Sequence, residues 1–143
     1  MLDLQHVSKR YEAAGEDEAS LVLKDITLRL EVGEAVAILG PSGSGKSTLL
    51  NIIGGLDRPT SGRVLFDGKD LAQVSESELA KIRSQDIGVV FQFHHLLPQL
   101  TVWENVLVPA LATEPQVPLE VTEARARRLL ERVGLLPRLA YRP

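Results

Sequence analysis

The sequence predicts an α/β fold, and three observations carry that prediction. Residues 34–39 and 87–91 are short runs that are apolar on both faces, the pattern of buried parallel strands covered by helices. Residues 23–30 alternate cleanly from Ile26 onward, the pattern of a half-buried strand in an antiparallel sheet. A glycine-rich turn joins the first apolar run to a helical stretch over residues 46–53.

In order along the chain, residues 2–7 read as a first, weakly alternating strand, followed by Ser8-Lys9-Arg10-Tyr11. From Glu12 to Ser20 the residues are small and acidic, which predicts a solvated loop. The alternating strand follows, and Glu31-Val32-Gly33-Glu34 turns into the apolar run. In the helix after the glycine turn, Leu49, Leu50, Ile52 and Ile53 supply a face to bury, and Gly54-Gly55 ends it. Residues 56–62 form a loop, residues 63–66 a short strand, and Asp67-Gly68 a tight turn.

Ser75-Glu76-Ser77-Glu78 is a capping box that opens a helix to about Ser84. The second apolar run leads to Gln92. After Pro98, Thr101-Val102-Trp103-Glu104 is another capping box, for a helix to about Leu111. Residues 113–117 read as a linker. A last helix over residues 118–133 places Ala126, Leu129, Leu130 and Val133 on one face, with Gly134 as its stop.

Composition narrows the function classes. The chain has 143 residues, 44% hydrophobic and 24% charged, ordinary values for a soluble globular protein. A net charge of -3 provides no global field for nucleic acid. The absence of cysteine excludes disulfides and thiolate metal sites and fits a reducing, cytoplasmic setting. No apolar run approaches the roughly 20 residues of a membrane span, and Met1-Leu2-Asp3-Leu4 lacks the features of a signal peptide.

The chemistry is concentrated in Gly40-Pro41-Ser42-Gly43-Ser44-Gly45-Lys46-Ser47-Thr48, which fits the phosphate-loop pattern G-x-x-x-x-G-K-S/T between a strand and a helix. A triphosphate needs many donors close to its oxygens. Backbone N–H groups supply them where no Cβ blocks the approach, hence Gly43 and Gly45. The helix N-terminus adds free N–H groups and partial positive charge. Lys46 is placed to reach the β- and γ-phosphates, Ser47 to ligate Mg2+, and Thr48 to add a phosphate contact.

These residues resemble the ATP-binding subunit of ABC transporters. The resemblance rests on the phosphate loop, on Pro59-Thr60-Ser61-Gly62 before Phe66-Asp67-Gly68, and on Val90-Phe91-Gln92, and it covers the whole chain. Phe91-Gln92-Phe93-His94-His95-Leu96-Leu97-Pro98 followed by Glu104-Asn105-Val106 resembles the lipoprotein-releasing and macrolide-exporter group. The resemblance implies a P-loop NTPase core of the ABC type, with an antiparallel β subdomain and the start of a helical subdomain. Residues 1–97 would form the first two and residues 98–143 the third.

It further implies ATP and Mg2+ as cofactors, with Tyr11 stacking on adenine rather than merely closing a strand end. Gln92 becomes the glutamine that touches Mg2+ or the attacking water, the one catalytic candidate in the chain. The partners implied are integral-membrane permease subunits, contacted near residues 92–98, and a second ATPase subunit. The implied location is the cytoplasm, peripheral on the inner face of the cell membrane.

Two other patterns are declined. Adjacent His94 and His95 do not share a strand face and have no third ligand nearby, so they do not make a metal site. Val64-Leu65-Phe66-Asp67 looks like a Walker B strand, but Gly68 follows where a catalytic glutamate would stand. The family's signature of Leu-Ser-Gly-Gly-Gln type, its Walker B carboxylates and its switch histidine do not occur in these residues. The chain therefore reads as the N-terminal part of such a domain, its core open, apolar strand faces exposed, and without useful hydrolysis on its own. Two alternatives remain: a catalytically inactive nucleotide-binding module, or another P-loop NTPase. A GTPase would need an Asn-Lys-x-Asp motif, which the chain lacks.

Overall fold

The computed structural model describes residues 1–11, 20–111 and 117–143. The acidic loop predicted after Tyr11 lies outside the described residues except for Ser20, as does all of the 113–117 linker but Val117. The chain forms two compact units, Met1–Arg83 and Ser84–Pro143.

The first unit is organised by a four-stranded antiparallel sheet of order β2-β1-β3-β4. Its strands are β1 (Leu2–Tyr11), β2 (Ser20–Leu30), β3 (Ser61–Phe66) and β4 (Lys69–Asp70). The turn between β3 and β4 has two residues, Asp67 at φ 47° and Gly68 at φ 80°, with Phe66 paired to Lys69. Two successive left-handed residues match the right-handed twist of the flanking strands, so Asp-Gly closes this hairpin without splaying it.

Strand β1 runs four residues further than its alternation suggested, because a bulge resets its register between Leu4 and Val7. His6 and Asp25, on facing strands, both take positive φ, at 53° and 51°. Side chains replace the ladder bonds that the bulge removes. The His6 N–H donates to Thr27 Oγ1 at 3.2 Å, the Asp25 N–H donates to Ser8 Oγ at 2.9 Å, and the two side chains meet at 2.7 Å.

Leu4, Val7, Leu23 and Val64 from the sheet are buried together with Leu49 and Ile52 of α1 (Lys46–Ile53) and Leu79 and Ile82 of α2 (Glu76–Gln85). Helix α1 buries a narrower stripe than its sequence offered: Leu50 is exposed and Ile53 only half-buried. It ends as expected at Gly54-Gly55. Gly55 has φ 65°, its N–H bonds to the Ile52 carbonyl, and the Leu56 N–H reaches back to Asn51 at 2.8 Å, a Schellman ending. Gly134 closes α4 in the same way, through Glu131 and Leu130.

The second unit holds α3 (Val102–Leu111), α4 (Leu119–Arg132) and a 3-10 turn (Leu136–Arg138). The Thr101–Glu104 capping box closes in both directions, at 3.2 and 2.7 Å. The Thr101 N–H, then its hydroxyl, hold the Glu104 carboxyl below the usual range. The next orphan donors of α3, on Val102 and Trp103, reach the carbonyls of Tyr141 and Leu139. On α4 only Ala126 and Leu130 are buried. Leu129 and Val133, expected on the same face, are exposed: Leu129, three residues on from Ala126, is turned about 60° away from it, and Val133 lies past the last helical residue, at the C-cap.

The two apolar runs correct the sequence reading. Residues 34–39 and 87–91 join no ladder among the described residues, and their side chains are largely open, with Leu39 at 89% and Val90 at 100% exposure. A parallel strand exists only through a neighbour that bonds to it. Neither run pairs with a described strand, whereas each strand of the antiparallel sheet has a partner from nearby chain.

Candidate functional site

The glycine loop and the first turn of α1 form one continuous piece of backbone. Gly43 and Gly45 take φ 79° and 85°, and the Ser44 N–H bonds to the Pro41 carbonyl. Gly45 is the N-cap of α1 and has no side chain to cap it, while Leu49 makes the first helical bond, to the Gly45 carbonyl at 2.9 Å. Helix geometry therefore leaves the N–H groups of Lys46, Ser47 and Thr48 without helical acceptors. Ser47 is exposed and Thr48 half-buried.

The two inner glycines serve different ends. A Cβ on Gly43 would meet nothing within 4 Å, so that position is open. A Cβ on Gly45 would stand 2.9 Å from both the Val22 carbonyl oxygen and a Leu23 methyl of β2. Sequence reasoning assigned Gly45 to the approach of a ligand. The structure adds a second demand, the close packing of α1 on β2. Gly40 lies against Ser44 Oγ, where a Cβ would come within 2.7 Å. The Lys46 ammonium folds over the loop, donating to the carbonyls of Gly40 at 2.9 Å and Pro41 at 2.7 Å.

Tyr11 ends β1 beside this loop, 42% exposed. Its hydroxyl donates to Asp57 Oδ2 at 2.7 Å, and the Lys9 ammonium lies 4.7 Å from its ring centroid. Asp57 also accepts from Lys9 at 2.6 Å and from the Arg58 N–H at 2.7 Å. The bond to Asp57, helped by desolvation, raises the Tyr11 pKa above its ordinary value, while the Thr48 hydroxyl pulls the other way. Partial burial works against the Asp57 charge, but its bonds from Lys9, Tyr11 and Arg58 together hold the carboxyl below the usual range. The proton of this pair accordingly stays on the phenol. Sequence reading missed Lys9 and Asp57 as site residues, since they lie 48 residues apart; the only signal was their adjacency to Tyr11 and to Pro59-Thr60-Ser61-Gly62.

Gln92 belongs to the second unit and is exposed. It opens the apolar loop that runs to Pro98. The ring of Phe91, just before that loop, meets the His95 ring within it edge to face at 4.9 Å, and His94 Nδ1 accepts from the Leu96 N–H. Asn105 of α3 fastens the loop, bonding Leu97 through both its N–H and its carbonyl. Phe93 stands 73% exposed. Asp67 stands in the hairpin turn, paired with the N-terminal ammonium.

Among the residues predicted to bind, the structure thus gathers the loop of residues 40–48 and Tyr11 on one unit and carries Gln92 on the other. Backbone N–H groups, an ammonium and a hydroxyl, set at a left-handed glycine turn, form a donor set that fits a phosphate chain and the Mg2+ that accompanies it.

Residues 23–142 match the family model described as ABC transporter. The chain is 50% identical over 143 residues to the lipoprotein-releasing system ATP-binding protein LolD of Shewanella oneidensis, covering all of this chain and 60% of that protein. It is 46% identical over its whole length to the pyoverdine export ATP-binding/permease protein PvdT of Pseudomonas aeruginosa, of which it covers 21%. Among solved structures it is similar to the ATP-binding cassette MJ0796, a dimer in a post-hydrolysis state bound to ADP and phosphate. The TM-score is 0.90 at 40% identity, covering 100% of this chain and 62% of that one. The chain thus spans about 60% of the length of the LolD relative that it matches.

Proposed function

The chain belongs to the ABC transporter family, and from that premise we propose that it is the ATP-binding part of a transporter of lipoprotein-release or related export type. Residues 40–48 bind the phosphates of Mg-ATP, and Tyr11 stacks on the base. The observation that carries this reading is the single loop in which Gly43, Gly45, the α1 N-terminus and Lys46 present their donors together. The lysine adds a charge-assisted contact, which is stronger than a neutral one.

Mg2+, when bound, neutralises phosphate charge, and the Ser47 hydroxyl and the Gln92 amide are the groups to hold it. Gln92 also orients the attacking water, since an amide both donates and accepts. The exposed loop of residues 92–98 docks on a cytoplasmic helix of a permease, and a second ATPase subunit completes the assembly. The protein then sits peripherally on the inner face of the cell membrane. The named relatives, one from a lipoprotein-releasing system and one that joins ATP-binding and permease functions, support the partner, and the dimeric cassette supports the pairing. No helix among the described residues is long and apolar enough to cross a membrane.

Titration of the purified protein with Mg-ATP, beside Lys46→Ala, tests the site. The variant should lose about 1.5–3 kcal/mol of binding, roughly ten- to a hundredfold in affinity. Equal affinity of the two proteins would remove the loop from the site.

A further inference from the structure

We propose that Asp57 is a positioning residue for the nucleotide base: it fixes the Tyr11 ring by its hydroxyl, and it fixes Lys9 over one ring face so that only the opposite face is offered for stacking. The inference rests on the reading of residues 40–48 and Tyr11 as an ATP site, and it adds residues that the reading did not assign.

The geometry is that of a clamp. One carboxylate oxygen of Asp57 accepts from the Lys9 ammonium at 2.6 Å, the other from the Tyr11 hydroxyl at 2.7 Å. The same ammonium lies 4.7 Å from the Tyr11 ring centroid and donates to the Arg58 carbonyl at 2.8 Å. The side chains of Lys9 and Asp57 are only 12% and 27% exposed, so the pair is screened less than a surface ion pair. A ring held at its hydroxyl and covered on one face loses little freedom when a base stacks on the other.

The anchor of the clamp is helix α1. The N–H groups of Leu56 and Asp57 both reach the Asn51 carbonyl, at 2.8 and 3.2 Å. Thr60 then ties the same loop to β1 twice: its N–H donates to the Ser8 carbonyl and its hydroxyl accepts from the Arg10 N–H. Asp57 is therefore fastened to the C-terminal end of the helix whose N-terminal end carries Gly45 and Lys46. Helix α1 thus links the loop that holds Asp57 to the loop of residues 40–48.

The test compares ATP with inorganic tripolyphosphate, which has phosphates and no base, on the purified protein. Asp57→Ala should weaken ATP about fivefold, the scale of one lost stacking arrangement, and leave tripolyphosphate affinity unchanged. Tyr11→Phe keeps the ring and the Lys9–Asp57 pair and removes the hydroxyl that Asp57 holds; it should weaken ATP selectively, by no more than Asp57→Ala does. Asp57→Ala in the Tyr11→Phe background should cost less than it does alone, since the hydroxyl link is already broken and only the hold on Lys9 is left to lose. Should Asp57→Ala fail to fold, Tyr11→Phe still reads the link.

Equal weakening of ATP and tripolyphosphate by Asp57→Ala would make Asp57 a structural support and overturn the proposal. Strictly additive losses in the double variant, or unchanged ATP binding in Asp57→Ala while Tyr11→Ala weakens it, would overturn the proposal and leave the stacking of Tyr11 intact. Failure of the wild type to bind either ligand would refute the phosphate-loop reading itself, and this proposal with it.

Discussion

A Cβ on Gly62 would stand 2.4 Å from the carbonyl oxygen of His6. Gly62 itself holds φ 86° at the start of β3, and His6 sits at the bulge of β1. The bulged backbone and the bare glycine therefore occupy one another's space. Gly62→Ala would add both a left-handed strain and a clash with main chain, neither of which a side-chain rotation relieves. We expect a loss of about 2–3 kcal/mol, read as a lower midpoint in urea unfolding. A variant as stable as the wild type would show that the bulge yields easily.

Asp57 should give the protein an acid-sensitive increment of stability. Its folded pKa lies below the ordinary value, which is about 3.9 for aspartate. Near that pH the unfolded chain binds the proton that the folded chain refuses, so stability rises with pH there. The increment is full above the ordinary value and fades as the pH falls through the lower folded one. The difference in unfolding free energy between wild type and Asp57→Asn should shrink across that window, and a difference constant with pH would contradict the assignment.

The exposed ring of Phe93 should matter to association and not to nucleotide. Phe93→Asp puts a charge into an apolar loop that Asn105 holds in place, and desolvating that charge in a partner interface is costly. Co-purification with the permease should fall severalfold or more while the Mg-ATP affinity stays within twofold. Undiminished co-purification would take this loop out of the interface.

The 143-residue chain should release phosphate no faster than its Lys46→Ala variant. On the proposed reading residues 40–48 would bring donors to the phosphates and Gln92 an amide, but neither would supply a base to take the proton of water. A missing general base typically costs about 10²–10⁴-fold. Steady-state turnover clearly above the variant would show that some carboxylate in these residues serves as the base.

Local punctuation was the most legible part of the fold. Asp67-Gly68, Gly54-Gly55 and Gly134 mark their turns and helix ends because a left-handed residue is needed at each, and glycine or aspartate meets that need without help from elsewhere. The capping box at Thr101–Glu104 is equally local. What depends on distant partners was not legible. Residues 34–39 have the composition of a strand, but a ladder needs a neighbour, and composition does not report one. The Lys9–Asp57–Tyr11 clamp joins β1 to the loop that follows α1, and the bulge at His6 that requires Gly62 follows from packing between strands far apart in the chain.

The Lys46 ammonium already donates to two carbonyls of its own loop. On the proposed reading, capture of a phosphate by this lysine would be an exchange of acceptors, in which two neutral oxygens give way to anionic ones. The heat released is the difference between the two sets of bonds rather than the sum of the new ones. The lysine would also stop bracing the turn as it gripped the ligand, so that rigidity would pass from an internal strut to the bound anion.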